Sequence, residues 1–411
     1  VFALVVVCSF AAHPGVSATP VPAGVPGAVA SATGAGSSPA YAVGPAPAAA
    51  PAGSGEVVPS DETVRIAVGR FPSSVTIEGA PFVVRRGADD TTVAVRSARF
   101  SVGKKGLVVD GQPWGSDVAV VETRSDDGTL SLAKHRYRRR LEVRYQVFQK
   151  KAELLVVHPL DLETYVAGIV SAELPRGWPL ASYQAQAVAA RTFAVAAKYR
   201  RLDLPYHMEA SVLDQVYGGI EREHALATEA AQSTRGVVLT SQRHLANAYF
   251  HAACGGRTES AQDGWGTTMD YLPGSECNRC GDAARFRWRS KLPKKTIDKT
   301  FSRLVGGPVK SMKIVDKTAS GRARRIKLES GKRSTTISGS DLRRLLGWSV
   351  VWSTQIDKFE FGNGGLVVEG RGSGHGVGLC QWGARGLADS GSTWEQILER
   401  YYPGARLTRL Y

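Results

Sequence analysis

The chain has 411 residues, 43% of them hydrophobic and 22% charged, an ordinary composition for a soluble protein with room for two or three packed units. A formal charge of +15 and a pI near 9.7 make the expected partner anionic, which fits nucleic acid, a membrane surface or an acidic cell-wall polymer. No recognisable nucleic-acid motif accompanies the charge, and no apolar run is long enough to span a bilayer comfortably, so the reading excludes nucleic acid as partner and a transmembrane span in the mature chain.

The opening run VFALVVVCSFAA is short, apolar and followed by small residues, so residues 1–20 read as a secretory signal without its charged flank. Cys8 would suit a lipoprotein cleavage site, but Val7 stands where a small residue is wanted. Residues 21–62 are mostly Ala, Pro, Gly, Ser and Val, with almost no charge before Glu56. Such a stretch cannot bury enough apolar surface to offset its ordering entropy and predicts a flexible tether. An exported protein, periplasmic or extracytoplasmic, is expected from these two segments.

From Thr63 to about Val157 the chain breaks into β-rich runs: VRIAVG, SVTIEG, PFVVRR, TTVAVRS, GLVVDG, VAVVET, LEVRYQVF and AELLVV. Gly, Asp and Ser separate them at short intervals, which predicts a meander of strands. Arg136, Arg138, Arg140 and Arg144 fall on even positions and would share one face of a strand, either solvated or docking an anionic polymer.

Helical periodicity begins at Asp161, a plausible N-cap, with apolar residues at 162, 165, 166, 169 and 170, and Pro175 ends the segment. Glu173 lies eleven positions after Leu162, and at about 100° per residue it returns to within roughly 20° of the leucine's direction. An acid on a buried stripe, at the negative end of a helix, is disfavoured as an anion, and a carboxyl kept protonated is what general-acid chemistry requires. The same spacing fits Glu173 turning outward at a frayed last turn and pairing with Arg176. A second, Ala-rich helix is predicted over about Leu180–Arg201, with Ala185, Val188, Ala189 and Thr192 along one side and Gln184, Gln186 and Arg191 as polar insertions.

Further on, EHALATEAAQSTRG reads as a helix, VVLT and LANAYFHA as strands, and CGGRTESAQDGWG as a Gly-rich turn. Residues 287–368 are basic and mixed, with helices near Thr296–Leu304 and Ser340–Leu346 between strands. In GSGHGVGLCQWG, glycines surround His375, Cys380, Gln381 and Trp382 and permit close backbone approach; the spacing is not that of a dinucleotide fingerprint. Ser392 and Glu395 form a capping box for the last helix. The fold class is therefore α+β, a β-rich region over 63–137 followed by a mixed helix and strand domain over 138–411.

With Cys8 set aside, Cys254, Cys277, Cys280 and Cys380 remain, two of them as CxxC, and His251 to Cys254 is an HxxC. Four thiolates, or three plus His251 as the alternative ligand, would make a closed structural zinc site. Two disulfides are the competing reading, since an exported chain meets an oxidising compartment.

Several long motifs, in order, resemble the SpoIID/LytB family of bacterial cell-wall proteins: LDLETYVAGIVSAELP, YQAQAVAARTFAV, DQVYGG, AYFHAACGGRT, SGR at 320–322, GRGSGHGVGLCQWGARGLA and ILERYYPG. The resemblance runs from about Arg138 to Tyr411. It implies a lytic transglycosylase that cleaves MurNAc–GlcNAc bonds of peptidoglycan glycan strands, particularly those stripped of stem peptides, and needs no catalytic cofactor. The family's acid, in its E-[LM]-P motif, falls on Glu173. It would protonate the glycosidic oxygen and then, as carboxylate, help the sugar's C6 hydroxyl attack C1, leaving a 1,6-anhydro end. Gln186, Arg191, His375 and Gln381 are the expected substrate-binding residues. The alternative is a non-catalytic cell-wall binding protein that stimulates an amidase, a role the family name also carries. Some members hold zinc through His and Cys just before Q-V-Y-G; here SVLDQVYGG has no cysteine and only His207 could correspond, so that site is not carried over.

Overall fold

The computed structural model describes residues 62–86, 95–210, 214–215, 217–362 and 364–411; the expected signal segment, its Cys8 and the tether as far as residue 61 lie outside them. The α+β expectation is met. Ten strands lead: β1 (Thr63–Phe71), β2 (Ser74–Arg85), β3 (Val95–Gly103), β4 (Gly106–Val109), β5 (Gln112–Pro113), β6 (Val118–Thr123), β7 (Thr129–Leu132), β8 (His135–Arg138), β9 (Arg140–Phe148) and β10 (Lys151–Asp161). With Met208–Glu209 they form one sheet in the order Met208–Glu209, β1, β10, β9, β6, β2, β3, β4, β5, while β7 pairs with β2 and β8. All pairings are antiparallel except that of Met208–Glu209 with β1.

Alternation sets the faces. In β6 and β7 every second residue is buried, the signature of a sheet with one covered face. In β10 the run Leu154–His158 is buried throughout: Leu154 and Val156 enter the main core, and Leu155 and Val157 meet Ala67 on the other side. SVTIEG and PFVVRR prove to be one strand, β2, whose register with β3 shifts between Glu78 and Phe82.

Two sequence expectations are corrected here. The division at residue 138 separates no cores, because β9 and β10 join the same sheet and the same core as β1–β8. The four arginines do not form one strip: the chain turns between β8 and β9 at Arg139 (φ 60°), Arg136 and Arg138 pair with Glu221 and Glu223, and Arg140 and Arg144 share Glu142.

Helix α1 (Leu162–Glu173) springs directly from β10, with Asp161 accepting from the Thr164 N–H at 3.0 Å as the N-cap. It is buried nearly all round from Leu162 to Ser171, more than a single stripe, since α2 (Leu180–Arg200) and α3 (Ala225–Ser233) pack against it as well as the sheet. α2 is the wall between two cores. Tyr183, Ala187, Ala190 and Ala194 face the sheet core, whereas Ala185, Val188 and Ala189 face a second one. The second core gathers strands Val237–Ser241, Phe250–His251 and Leu379–Cys380, helices Gln381–Asp389 and Trp394–Tyr401, and the four described cysteines. The last helix is capped one residue later than expected, with Thr393 and Gln396 making the capping box.

A third core belongs to residues 288–368, where helices Lys294–Val305 and Gly339–Leu346 cover two three-stranded sheets. This module is tied to the glycine loop by Arg343, which donates to the Gly374 carbonyl, and by Arg322, which donates to Gln355 and to the Cys254 carbonyl at 2.9 and 2.8 Å. Gly376 (φ 90°) lies flat on the Arg322 guanidinium; a Cβ there would sit 2.3 Å from its Nη2.

Candidate active site and cysteine centre

Glu173 ends α1, partly buried, and its Oε2 accepts from the Gln381 side-chain amide at 3.2 Å. The same Gln381 nitrogen lies 3.4 Å from the Gln186 Oε1. Gln381 and Gln186 are 5% and 1% exposed, and the Gln186 Nε2 is buried without a partner among the described residues. Three expected site residues, from α1, α2 and the C-terminal motif, are thus brought together. Gln381 is the first residue of helix Gln381–Asp389, so the positive end of that helix meets the negative end of α1 at Glu173. Beneath them Tyr165 donates to the Gln215 side chain at 2.9 Å, and Gln215 in turn approaches the Ala190 carbonyl, so the DQVYGG motif braces α1 against α2.

The other two expected substrate-binding residues are engaged within the fold, away from that cluster. Arg191 is fully buried, and its guanidinium grips Glu163 through Nε at 2.8 Å and Nη2 at 2.6 Å while donating to the carbonyls of Ala231 and Val237. Glu163 also accepts from the Tyr411 hydroxyl and the Gly236 N–H. Every strong donor of Arg191 is spent inside the core, so it locks α1, α2, α3 and the C-terminus together and does not line a groove. His375 is a staple of the glycine loop: Nε2 donates to the Phe250 carbonyl at 2.8 Å, Nδ1 accepts from the Val377 N–H at 3.1 Å, and Tyr249, His251 and Trp265 surround the ring. Burial, helped by the charges of Arg343 and Arg322, pushes its pKa down to about 4, which keeps this tautomer neutral.

The sequence reading gave no site role to Trp178 or Trp382. Their rings meet edge to face at 5.0 Å, one following the α1 turn and the other following Gln381, and Arg385 lies over both. Their positions next to Glu173 and Gln381 were the available signal.

The four cysteines are a second centre. Their sulfurs all lie within 4.8 Å of one another, all buried, with free thiols and no disulfide. Tetrahedral zinc–sulfur bonds of about 2.3 Å place sulfurs about 3.8 Å apart, so the donor set fits a structural metal. Backbone N–H groups point at sulfur as they do toward thiolates: Cys254 and Gly383 toward Cys380, Gly256 toward Cys254. Hydrogen bonding among the sulfurs raises the pKa of Cys254 and lowers those of Cys277 and Cys280, while burial pushes Cys380 up. Four thiols sharing protons in one buried space are poised to exchange them for a cation. His251, the alternative ligand, stands outside this group; its Nδ1 donates to the Val377 carbonyl at 3.1 Å.

The Stage II sporulation protein (SpoIID) family model matches residues 150–241, the stretch that carries α1, α2 and α3, and a domain of unknown function matches 274–378. An uncharacterized protein of Brachyspira hyodysenteriae is 32% identical over 254 residues, 61% of this chain and 67% of that protein. The chain belongs to the SpoIID/LytB family. Among other members, it is 29% identical to the Stage II sporulation protein D of Bacillus subtilis over 61% of this chain and 76% of that protein. With the Amidase enhancer of Bacillus subtilis it shares 27% identity, over 59% of this chain but only 40% of that protein. SpoIID is a cell-wall-related family, and no described helix of this chain is long and apolar enough to cross a membrane.

Proposed function

We propose that this protein is an exported peptidoglycan lytic transglycosylase of the cell envelope that cleaves MurNAc–GlcNAc bonds in peptide-stripped glycan strands. The observation that carries the reading is the Glu173 carboxylate accepting from the Gln381 amide, whose nitrogen also reaches Gln186, at the junction of α1, α2 and the C-terminal motif. Protonated Glu173 gives its proton to the glycosidic oxygen as the C1–O bond breaks. The carboxylate so formed takes the proton of the sugar's own C6 hydroxyl as that oxygen bonds to C1, which closes the 1,6-anhydro ring and regenerates the acid. One carboxyl group suffices, unlike the acid and nucleophile pair of retaining hydrolases. Gln381 donates to the carboxylate in the second step, and Gln186 offers a buried N–H to a sugar hydroxyl.

Zinc is the metal that the four thiolates suit best, closing a site with no open position and therefore structural. It would pin Cys380, and with it the neighbouring Gln381, next to Glu173. Elemental analysis of protein purified without chelator is expected to give one zinc per chain; no zinc, together with four unreactive cysteines under denaturing conditions, would favour disulfides.

The name of the Amidase enhancer relative favours a second reading, a cell-wall binder that stimulates an amidase. Incubating the protein and its Glu173→Gln variant with peptide-free glycan strands separates the two. Anhydro-ended fragments from the unsubstituted protein alone support the enzyme, and their absence from both leaves the binding role.

A further inference from the structure

One helical turn beyond Gln381, on the same helix, stands Arg385. Its guanidinium carbon is 5.0 Å from the ring centroid of Trp382 and 5.6 Å from that of Trp178. A cation over an indole face is held by the ring quadrupole without its charge being neutralised. The ionic partner of Arg385 among the described residues is Asp389, Nε to Oδ2 at 3.3 Å, and this acid is 49% exposed. The contact uses the Nε side, and no hydrogen bond within the described residues engages Nη1 or Nη2. The side chain is 34% exposed, so the fork is both fixed in direction and reachable from solvent. A planar guanidinium in that state recognises a carboxylate through two parallel hydrogen bonds. A second group, next to Gln381, has no hydrogen-bond partner among the described residues: the buried Nε2 of Gln186.

We infer that Arg385, set on Trp178 and Trp382, is the residue that reads a carboxylate on the sugar bound at Glu173, and that this carboxylate is the free lactyl group of N-acetylmuramic acid. The inference rests on the glycan-cleaving reading and names the feature of the glycan that is recognised. Where a stem peptide is attached, the lactyl carboxyl is a neutral amide, which offers Arg385 no charge and a single acceptor oxygen. Preference for stripped strands is then an electrostatic choice made by one side chain at the mouth of the site.

Binding separates this inference from the chemistry. Glycan oligomers with free lactyl carboxylates, and the same oligomers converted to methylamides, are titrated into the Glu173→Gln protein at 0.15 M salt and heats are recorded. The free acid is expected to bind about tenfold to a hundredfold more tightly, as charge-assisted hydrogen bonds do. Adding Arg385→Gln is expected to erase that ratio with affinity for the methylamide unchanged, and Arg385→Lys to restore part of it; an unchanged melting temperature shows that the fold is intact. An Asp389→Asn variant is expected to keep the ratio. Equal affinity for both oligomers, or a ratio that survives Arg385→Gln, overturns the assignment. Cleavage without preference overturns Arg385 alone, preference without cleavage overturns the enzyme reading alone, and binding to neither oligomer overturns both.

Discussion

At the scale of single residues, the buried ion pair of Arg191 and Glu163 and the acid Glu173 lie ten positions apart on α1 and do opposite things. Arg191→Ala leaves Glu163 buried with no cation, which is expected to cost about 3–5 kcal/mol, measured by denaturant unfolding; a variant that keeps full stability but weakens glycan binding would return Arg191 to the groove. Buried His158 makes a pH prediction. Burial, with the charge of Arg138 adding, lowers its pKa from 6.5 to about 4, and its Nδ1 donates to the Arg140 carbonyl. The unfolded chain takes up a proton below about pH 6.5 that the folded one refuses until about pH 4, so this stabilisation is whole above pH 6.5 and lost as pH falls. The loss is on the order of 3 kcal/mol, and melting temperature is expected to fall less steeply between pH 6.5 and 4 in His158→Phe than in the unsubstituted protein. Helical spacing marked Glu173 because the direction in which it leaves α1 is set by its own helix. Arg191 was misread for the converse reason: the acid that explains it sits 28 residues earlier, on another helix.

Among the elements, helix Gln381–Asp389 was hidden in the sequence. Gly383 and Gly386 within it lower helix propensity and made the stretch read as loop, yet both are demanded by packing. A Cβ on Gly383 would lie 2.0 Å from the Tyr401 hydroxyl and 2.5 Å from the Cys277 sulfur, and one on Gly386 would lie 2.3 Å from the Arg279 carbonyl oxygen. Gly383→Ala is therefore expected to release the metal from the cysteine centre, read as loss of zinc after gel filtration, and to lower activity through Cys380 and Gln381. Retention of a full zinc equivalent would contradict that coupling. The strands and α1 to α3 were legible because their apolar and Ala-rich patterns are local in the sequence. The cysteine centre was legible as a set of ligands but not as a location, since its members come from 254, 277–280 and 380 and meet only when the strand Phe250–His251 pairs with Leu379–Cys380.

For the whole molecule, α2 between two cores explains how motifs 200 residues apart build one site: the sheet core positions Glu173, the second core positions Gln381, and Gln381 reaches both Glu173 on α1 and Gln186 on α2. The positive charge is uneven. Residues 274–378 hold 22 Lys and Arg against nine Asp and Glu, thirteen of the chain's fifteen net charges, so the composition foretold an anionic partner without saying that one module carries nearly all of the attraction. The central claim is that Glu173 serves as acid and then base on one glycosidic bond. Its most direct test is mass spectrometry of peptide-free glycan strands after incubation with the protein and with Glu173→Gln. Fragments ending in 1,6-anhydroMurNAc are expected from the unsubstituted protein, with the rate lowered about 10²–10⁴-fold by the substitution. Reducing-end fragments heavier by one water, or anhydro ends produced equally by both proteins, would contradict it.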